Sequence, residues 1–356
     1  MSRAVRIIGV GDSTPSHLIS NEQIARTIPG WSADVIREKT GILERRFLCA
    51  LDEEHGRAVR AGEAGTDMSE QALRGALQMA GIPPSDLDAL FLVTCTPDEM
   101  DFNHDAMVLH QRLKLRAGAM AFVINDGCGG TPYVLDLVQK LVATGAMGTV
   151  AVVASNFASA YVDRRVYTGE MELEPGKRLS GYLSMYVFGD GAGAVVLRGD
   201  QGGGGVVGSC SGNAYEPLVL RRGGGTQEPF LLGDARPVDF AFVVNGYAVA
   251  TGYPVHMRAC LDGVTQGEPE RLNDVKRFYL HQPNKRVLDR FAQLAGLAPE
   301  RVACTVHHYG NTSAAGMLVA LSEDVRKGTV ALGSKDLVCI ASAGANVHYG
   351  AQLIQL

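Results

Sequence analysis

The chain has 356 residues, 46% apolar, 20% charged and 6% aromatic, which excludes disordered, collagen-like and coiled-coil proteins and predicts a globular protein of two domains or one large duplicated one. Lys plus Arg number 33 against 38 Asp plus Glu, a formal charge of -5, so the chain has no overall electrostatic grip on nucleic acid or an anionic membrane, and any basic docking patch is local. The 43 glycines are dispersed among apolar runs and predict tight turns and close backbone contacts.

In chain order, residues 5–11 form a short β-rich run closed by glycine, and residues 69–80 an amphipathic helix ended by Gly81. A buried strand follows at 89–94, a second at 121–125, and then Asp126-Gly127-Cys128-Gly129-Gly130 opens a helix to about Thr144. Strands at 149–155 and 192–197 close this half. After four glycines at 202–205 the plan restarts: strand 205–209, helix 247–264, strand 277–280, strand 302–306, a helix opened by Tyr309-Gly310-Asn311-Thr312-Ser313 and running to Asp324, and strands 337–341 and 351–356. Matched elements in one order argue for internal duplication, with halves at 1–200 and 205–356. Strands alternating with helices and apolar on both faces imply two mainly parallel sheets covered by helices, a layered α/β/α/β/α body. The segments 156–187 and 211–240 depart from the repeat and are long for a compact domain, which is where entrances and lids sit.

The seven cysteines are odd in number and include no C-x-x-C pair, the pattern of a reduced, cytoplasmic protein without a zinc knuckle. The first ten residues lack the apolar core of a signal peptide, and the uncharged stretch 141–162 is broken by polar residues and glycines. It reads as a helix end plus a buried strand, not a membrane span.

Cys128 lies between a buried strand and a helix start, framed by Gly127, Gly129 and Gly130. Unpaired N–H groups and the positive helix end would favour thiolate there and offer donors to an oxyanion; the alternative is a small buried hydrophobe. His281 heads His281-Gln282-Pro283-Asn284-Lys285-Arg286 at the exit end of a buried strand, where α/β sheets place functional groups, although a lone histidine also serves structure. Asn311 occupies in the second half the junction that Cys128 occupies in the first; an ordinary helix N-cap by Asn311, Thr312 or Ser313 is the other reading. Duplication about a pseudo-twofold axis would bring thiol, imidazole and amide into one pocket.

Asp126-Gly-Cys128-Gly-Gly, Phe188-Gly-Asp-Gly-Ala-Gly-Ala194, His281-Gln-Pro-Asn284-Lys-Arg286 and Gly310-Asn311-Thr-Ser-Ala-Ala, in this order, resemble the thiolase superfamily and specifically its β-ketoacyl-acyl-carrier-protein synthase III group. The likeness covers almost the whole chain, including Lys39-Thr40-Gly41-Ile42. It implies the thiolase-like duplicated five-layer fold, with Cys128, His281 and Asn311 catalytic, backbone N–H groups of Ala345 or Asn346 at the oxyanion, and Asn284, Arg286 and Lys39 docking the thioester or its carrier. It also implies a homodimer in which Phe102 walls the partner's acyl pocket, with Thr131 on the pocket wall. Cys128 would accept an acyl group from a thioester. A malonyl-type thioester would then lose CO2, its enolate held by neutral donors from His281 and Asn311, and attack the acyl-cysteine in a decarboxylative Claisen condensation. The substrates would be coenzyme A or phosphopantetheine thioesters, with no metal, flavin or nucleotide cofactor. The alternative is a synthase-like acyltransferase passing the acyl group to an alcohol or amine.

Three departures stand out. Val35 replaces the tryptophan expected to stack on coenzyme A adenine, Trp31 lying four residues upstream; Gly129-Gly130-Thr131-Pro132 follows the nucleophile; and Gly344-Ala345-Asn346-Val347-His348-Tyr349-Gly350 replaces a glycine-rich segment. With the insertion at 161–186, they suggest a specialised-metabolism relative acting on an unusual acyl group. Gly9-x-Gly11 and the 189–193 glycines lack a P-loop lysine and read as turns. His307-His308 has no carboxylate or cysteine to complete a metal site. Lys285, Arg286, Arg221, Arg222 and Arg258 are either a local basic patch or solvated charge.

Overall fold

The computed structural model describes residues 3–356 except 29, 61, 165–170, 175–176, 180–185, 217, 222, 228 and 230–241. Most of the 161–186 insertion, part of the 211–240 segment and Arg222 therefore lie outside the described residues. The first sheet contains β1 (Ala4–Ser13), β2 (Ala89–Val93), β3 (Met120–Ile124), β4 (Thr149–Asn156) and β5 (Gly191–Asp200) in the order β1-β5-β4-β2-β3. Strands β2, β3 and β4 run parallel to their neighbours within that trio, while β5 is antiparallel to both β4 and β1. The second sheet contains β6 (Gly205–Asn213), β7 (Val275–Leu280), β8 (Leu337–Gly344) and β9 (His348–Gln355) in the order β6-β9-β8-β7, with only β7 and β8 parallel. Both sheets are thus mixed, because each half ends in a strand that folds back beside its predecessor and beside the half's first strand.

The helices are α1 (Gly65–Ala80), α2 (Gly130–Ala143), α3 (Gly246–Thr265), α4 (Lys285–Leu294) and α5 (Gly316–Lys327), with shorter ones around them. The alternation of side chains along the strands builds the layers. Ala89, Phe91 and Val93 of β2 and Val150, Val152 and Ala154 of β4 join Val134, Leu135 and Val138 of α2 and Met317 to Leu321 of α5 in a central core. Tyr279, Val338, Ile340 and Ile354 of the second sheet enter the same core from the other side. The intervening residues Leu90, Leu92, Ala151 and Val153 face outward onto Met68, Ala72, Leu73, Ala76 and Leu77 of α1. Phe278, Leu280, Cys339 and Leu353 do the same against α3 and α4. A strand buried on both faces needs no polar alternation, and each large apolar side chain withdrawn from water stabilises the fold by roughly 1.5–3 kcal/mol. Close helix–sheet contact fixes some positions: a Cβ on Gly9 of β1 would lie 2.1 Å from the Ala76 carbonyl oxygen, so a larger residue there would force α1 off the sheet.

The expected strand at 302–306 is absent. Only a single parallel bridge joins Val302 to Phe278, and Val306–Tyr309 winds into a helical turn. The Gln282 side chain explains the difference, since its Oε1 accepts hydrogen bonds from Thr305 N (2.8 Å) and Val306 N (2.9 Å) while its Nε2 donates to Ala303 O (3.2 Å). Backbone groups that would extend a ladder are satisfied by one buried amide instead. The 189–193 glycines are not simple turns either: Gly191 and Gly193 belong to β5, and buried Asp190 accepts from Leu48 N and Ser159 N. Among the described residues, no helix is long and apolar enough to cross a membrane.

Candidate active site

Strand β3 ends at Ile124, and the tight turn 126–129 carries Cys128 to the start of α2, Asp126 N donating to Ile124 O (2.9 Å) and Gly130 N to Gly127 O (3.0 Å). The glycines are needed for contact with the other half. A Cβ on Gly344 would lie 2.3 Å from Cys128 Cβ, and one on Gly129 would lie 2.3 Å from the His348 carbonyl oxygen. The Ser342 hydroxyl donates to the Cys128 carbonyl.

His281 continues β7, its N–H donating to Ala341 O (2.9 Å), and Tyr253 of α3 donates its hydroxyl proton to the His281 carbonyl. Pro283 then ends the strand and Asn284 caps α4, its Oδ1 accepting from Val287 N at 2.9 Å. Asn311 is pinned on both sides of its backbone, donating N–H to Val187 O (2.9 Å) and accepting at its carbonyl from Gly189 N (3.1 Å). Its Oδ1 accepts from Ser313 N at 2.8 Å, which leaves the amide Nδ2 to donate into the site, toward the Cys128 sulfur.

Cys128, His281 and Asn311 line one cavity of about 590 Å³. Ser313 Oγ lies 3.5 Å from Cys128 Sγ, and the Ser313 and Asn311 side chains both hydrogen-bond toward the sulfur. Burial is the larger effect and pushes the Cys128 thiol up to about 11, with the Asp126 carboxylate adding to the rise. The expectation of a ready thiolate is therefore corrected: removing the sulfur from water outweighs the helix start and its N–H groups. Burial likewise pulls His281 down to about 3, against a hydrogen bond with the Ser313 backbone. The free site holds a thiol and a neutral imidazole, not an ion pair.

Of the other sequence candidates, Ala345, Asn284, Arg286 and Lys39 line the same cavity. Lys39, Arg286 and Arg290 mark its exposed end, where Lys39 Nζ sits 5.3 Å over the Trp31 ring. Trp31 thus stands at the entrance although it precedes the position the resemblance favours. Asn346, at φ 65°, does not line the cavity; its carbonyl accepts from Glu216 N at 3.4 Å. Thr131 is also no pocket wall. It is fully buried and its hydroxyl donates to Ala314 O at 2.7 Å, tying α2 to the turn before α5. Phe102 is 96% exposed and stands outside the cavity. Among the described residues of the postulated basic patch only Arg286 reaches the cavity: Lys285 pairs with Asp289, Arg258 with Asp262, and Arg221 stacks near Tyr161 and Phe242.

Sequence reasoning missed His256. It sits one turn after Tyr253 on α3, lines the cavity, and its Nε2 lies 3.2 Å from Glu216 Oε1. Nothing in the local pattern of that helix distinguishes it, since its partner comes from a distant loop. Among the described residues, no group of three or more His, Cys, Asp or Glu is arranged to hold a metal ion; His308 instead pairs with Glu44 and His307 contacts Cys304.

Two family profiles match the chain, 3-oxoacyl-[acyl-carrier-protein (ACP)] synthase III over residues 122–214 and the C-terminal part of the same synthase over residues 269–356. The β-ketoacyl-[acyl-carrier-protein] synthase III of Gloeobacter violaceus is 31% identical over 367 residues, covering 98% of each chain. That of Alkalilimnicola ehrlichii is 30% identical over 354 residues, again covering 98% of each. The crystal structure of the Aquifex aeolicus 3-oxoacyl-[acyl-carrier-protein] synthase III superposes with a TM-score of 0.78 at 24% identity, over 99% of this chain and 100% of that one. With the duplicated fold and the cavity between its halves, these matches place the chain in the β-ketoacyl-[acyl-carrier-protein] synthase III family, as an acyltransferase of that type.

Proposed function

We propose that the chain transfers an acyl group from a thioester to Cys128 and condenses it with a malonyl-type thioester. The observation that carries this reading is the convergence of a thiol, a neutral imidazole and an anchored amide donor on one cavity. Cys128 attacks the incoming thioester, the acyl–sulfur bond to the donor breaks, and the thiol proton leaves with the departing thiol. The malonyl-type donor then loses CO2, and the N–H of neutral His281 and Nδ2 of Asn311 donate to the enolate oxygen. The enolate carbon attacks acyl-Cys128, forming the new carbon–carbon bond and breaking the acyl–sulfur bond, and the released cysteine thiolate takes a proton from solvent. A neutral His281 suits this role, because a donor that is never charged keeps its proton through the decarboxylation. The backbone N–H of Ala345, a residue that lines the cavity, would serve the thioester oxyanion, and no metal or prosthetic group is required by the steps.

Coenzyme A or carrier-protein thioesters would enter past Trp31, Lys39 and Arg286, where a phosphate meets cations and a flat ring. The exposure of Phe102 supports a homodimer in which that ring is covered by the second copy. The altered segments 129–132 and 344–350 support an unusual acyl group and a role in specialised metabolism. The test is intact-protein mass spectrometry after mixing with a panel of acyl thioesters, followed by a chase with malonyl-coenzyme A or malonyl-carrier protein. A mass gain on Cys128 that disappears with CO2 release is expected. A gain that only a small alcohol or amine removes would make the chain an acyltransferase without condensation, and acetyl-coenzyme A as best donor would overturn the specialised role.

A further inference from the structure

The cavity that holds Cys128 is apolar along much of the side formed by α3 and segment 343–347, where Val249, Ala250, Ala343, Ala345 and Val347 line it. His256 is the exception. It follows Val249 and Tyr253 at helical spacing on one face of α3, lines the cavity with them, and its side chain is only 12% exposed. Tyr253 donates its hydroxyl proton to the His281 carbonyl, so His256 stands about one helical turn from the residue that braces His281. Two contacts hold the ring: Nε2 lies 3.2 Å from Glu216 Oε1, and the imidazole stacks on Tyr349 of β9, with centroids 6.1 Å apart and planes at 23°. Helix α3 makes room for the carboxylate with a glycine, since a Cβ on Gly252 would lie 3.3 Å from Glu216 Oε2; a glycine inside a helix is otherwise unfavourable. Among the described residues, Nδ1 of His256 has no hydrogen-bond partner.

We propose that His256, held by Glu216, is a specificity-determining residue: its Nδ1 binds a hydroxyl carried by the acyl chain, so that the unusual acyl group is a hydroxyacyl group. The inference deepens the proposed function and rests on acyl thioesters being what the cavity takes. An acyl chain that fills this side of the cavity displaces water from His256. A plain alkyl chain then leaves Nδ1 without a partner, which weakens binding. A hydroxyl both donates and accepts, so it pairs with Nδ1 whichever nitrogen carries the ring proton. A carboxylate on the chain is disfavoured, because Glu216 sets a like charge beside the same ring. The alkyl side chains around His256 offer no hydrogen bond of their own, so this one side chain sets the preference.

The test is equilibrium binding of coenzyme A thioesters to the full chain carrying Cys128→Ala, measured by calorimetry with melting temperature as the check on folding. The probes are butyryl- and hexanoyl-coenzyme A, each compared with forms that carry a hydroxyl on successive carbons of the chain. At least one hydroxyacyl thioester should bind about tenfold or more tightly than its unsubstituted parent. Adding His256→Phe keeps a flat ring against Tyr349 and removes both nitrogens, and should bring that ratio to within about twofold of unity. Should His256→Phe not fold, His256→Leu takes its place. Hydroxyacyl thioesters that bind no tighter than their parents, or a preference that survives the loss of both nitrogens, would overturn the proposal. Binding to Cys128→Ala needs neither acyl transfer nor CO2 release, so a failure of condensation counts against the proposed reaction and leaves this ratio readable, whereas tight binding without preference counts against His256 alone. Absence of binding by every probe would overturn both.

Discussion

Cys128 and Asn311 stand at corresponding junctions of the two halves, each just ahead of a helix that fills the central layer, α2 and α5. The first junction is a turn of glycines that lets the opposite half press onto the sulfur, and its one side chain besides the thiol is the Asp126 carboxylate. The second is tied more fully, since Asn311 has both backbone groups and Oδ1 engaged and its amide turned toward the sulfur. In the proposed reaction the same place in a repeated fold would thus hold a group that forms and breaks a bond in one half and a group that stays still and donates in the other. The sheets differ in the same spirit: the first half has β3 leading directly into its junction, whereas the second replaces that strand by the Gln282-held turn at 302–309.

The largest effect expected from this comparison is at the first junction. Cys128→Ala should abolish the covalent acyl-enzyme in mass spectrometry with any donor, while the circular dichroism spectrum stays native; acyl transfer to another residue would break the assignment. Next is the pH dependence of the sulfur. Because burial pushes the thiol up to about 11, the thiolate fraction grows about tenfold with each unit that the pH rises toward that value, and iodoacetamide alkylation of Cys128 should rise about tenfold per unit between pH 7 and 9 without a plateau. A plateau near pH 7 would show that a partner ionises the thiol after all.

At the second junction the expected effects are on stability. Gln282→Ala leaves the N–H groups of Thr305 and Val306 without their acceptor, and chemical denaturation should show a loss of about 2–3 kcal/mol, with no equivalent position in the first half. The smallest effect is at the seam between the central helices. Thr131→Val removes one hydrogen bond to Ala314 and should cost about 1 kcal/mol, leaving the acyl preference unchanged; a shifted chain-length profile would return Thr131 to the pocket wall.

Strands and helices with strong local pattern were legible in the sequence. The run 89–93 is apolar on both faces and could only be a doubly covered strand, and His281 announced itself by following the apolar end of a strand, two residues before a proline. What was hidden depended on partners far along the chain. The apolar run at 302–306 looks like a strand because periodicity cannot show that Gln282 will claim its N–H groups. His256 is one polar residue among many on α3 until Glu216 arrives from forty residues away. The thiolate reading of Cys128 counted the nearby N–H groups, which are local, and missed the burial imposed by the second half, which is not. Trp31 reached the entrance through the geometry of the turn before residues 33–40, which spacing from the Thr40-Gly41-Ile42 motif does not convey.

The division of labour between the two junctions is tested most directly by a single-turnover experiment on Asn311→Ala. The variant is first loaded with an acyl thioester and then chased with radiolabelled malonyl donor. Acylation of Cys128 should proceed within a few-fold of wild type, while CO2 release and product formation fall by about 10²–10³. Condensation at the wild-type rate, or loss of acylation together with condensation, would contradict it.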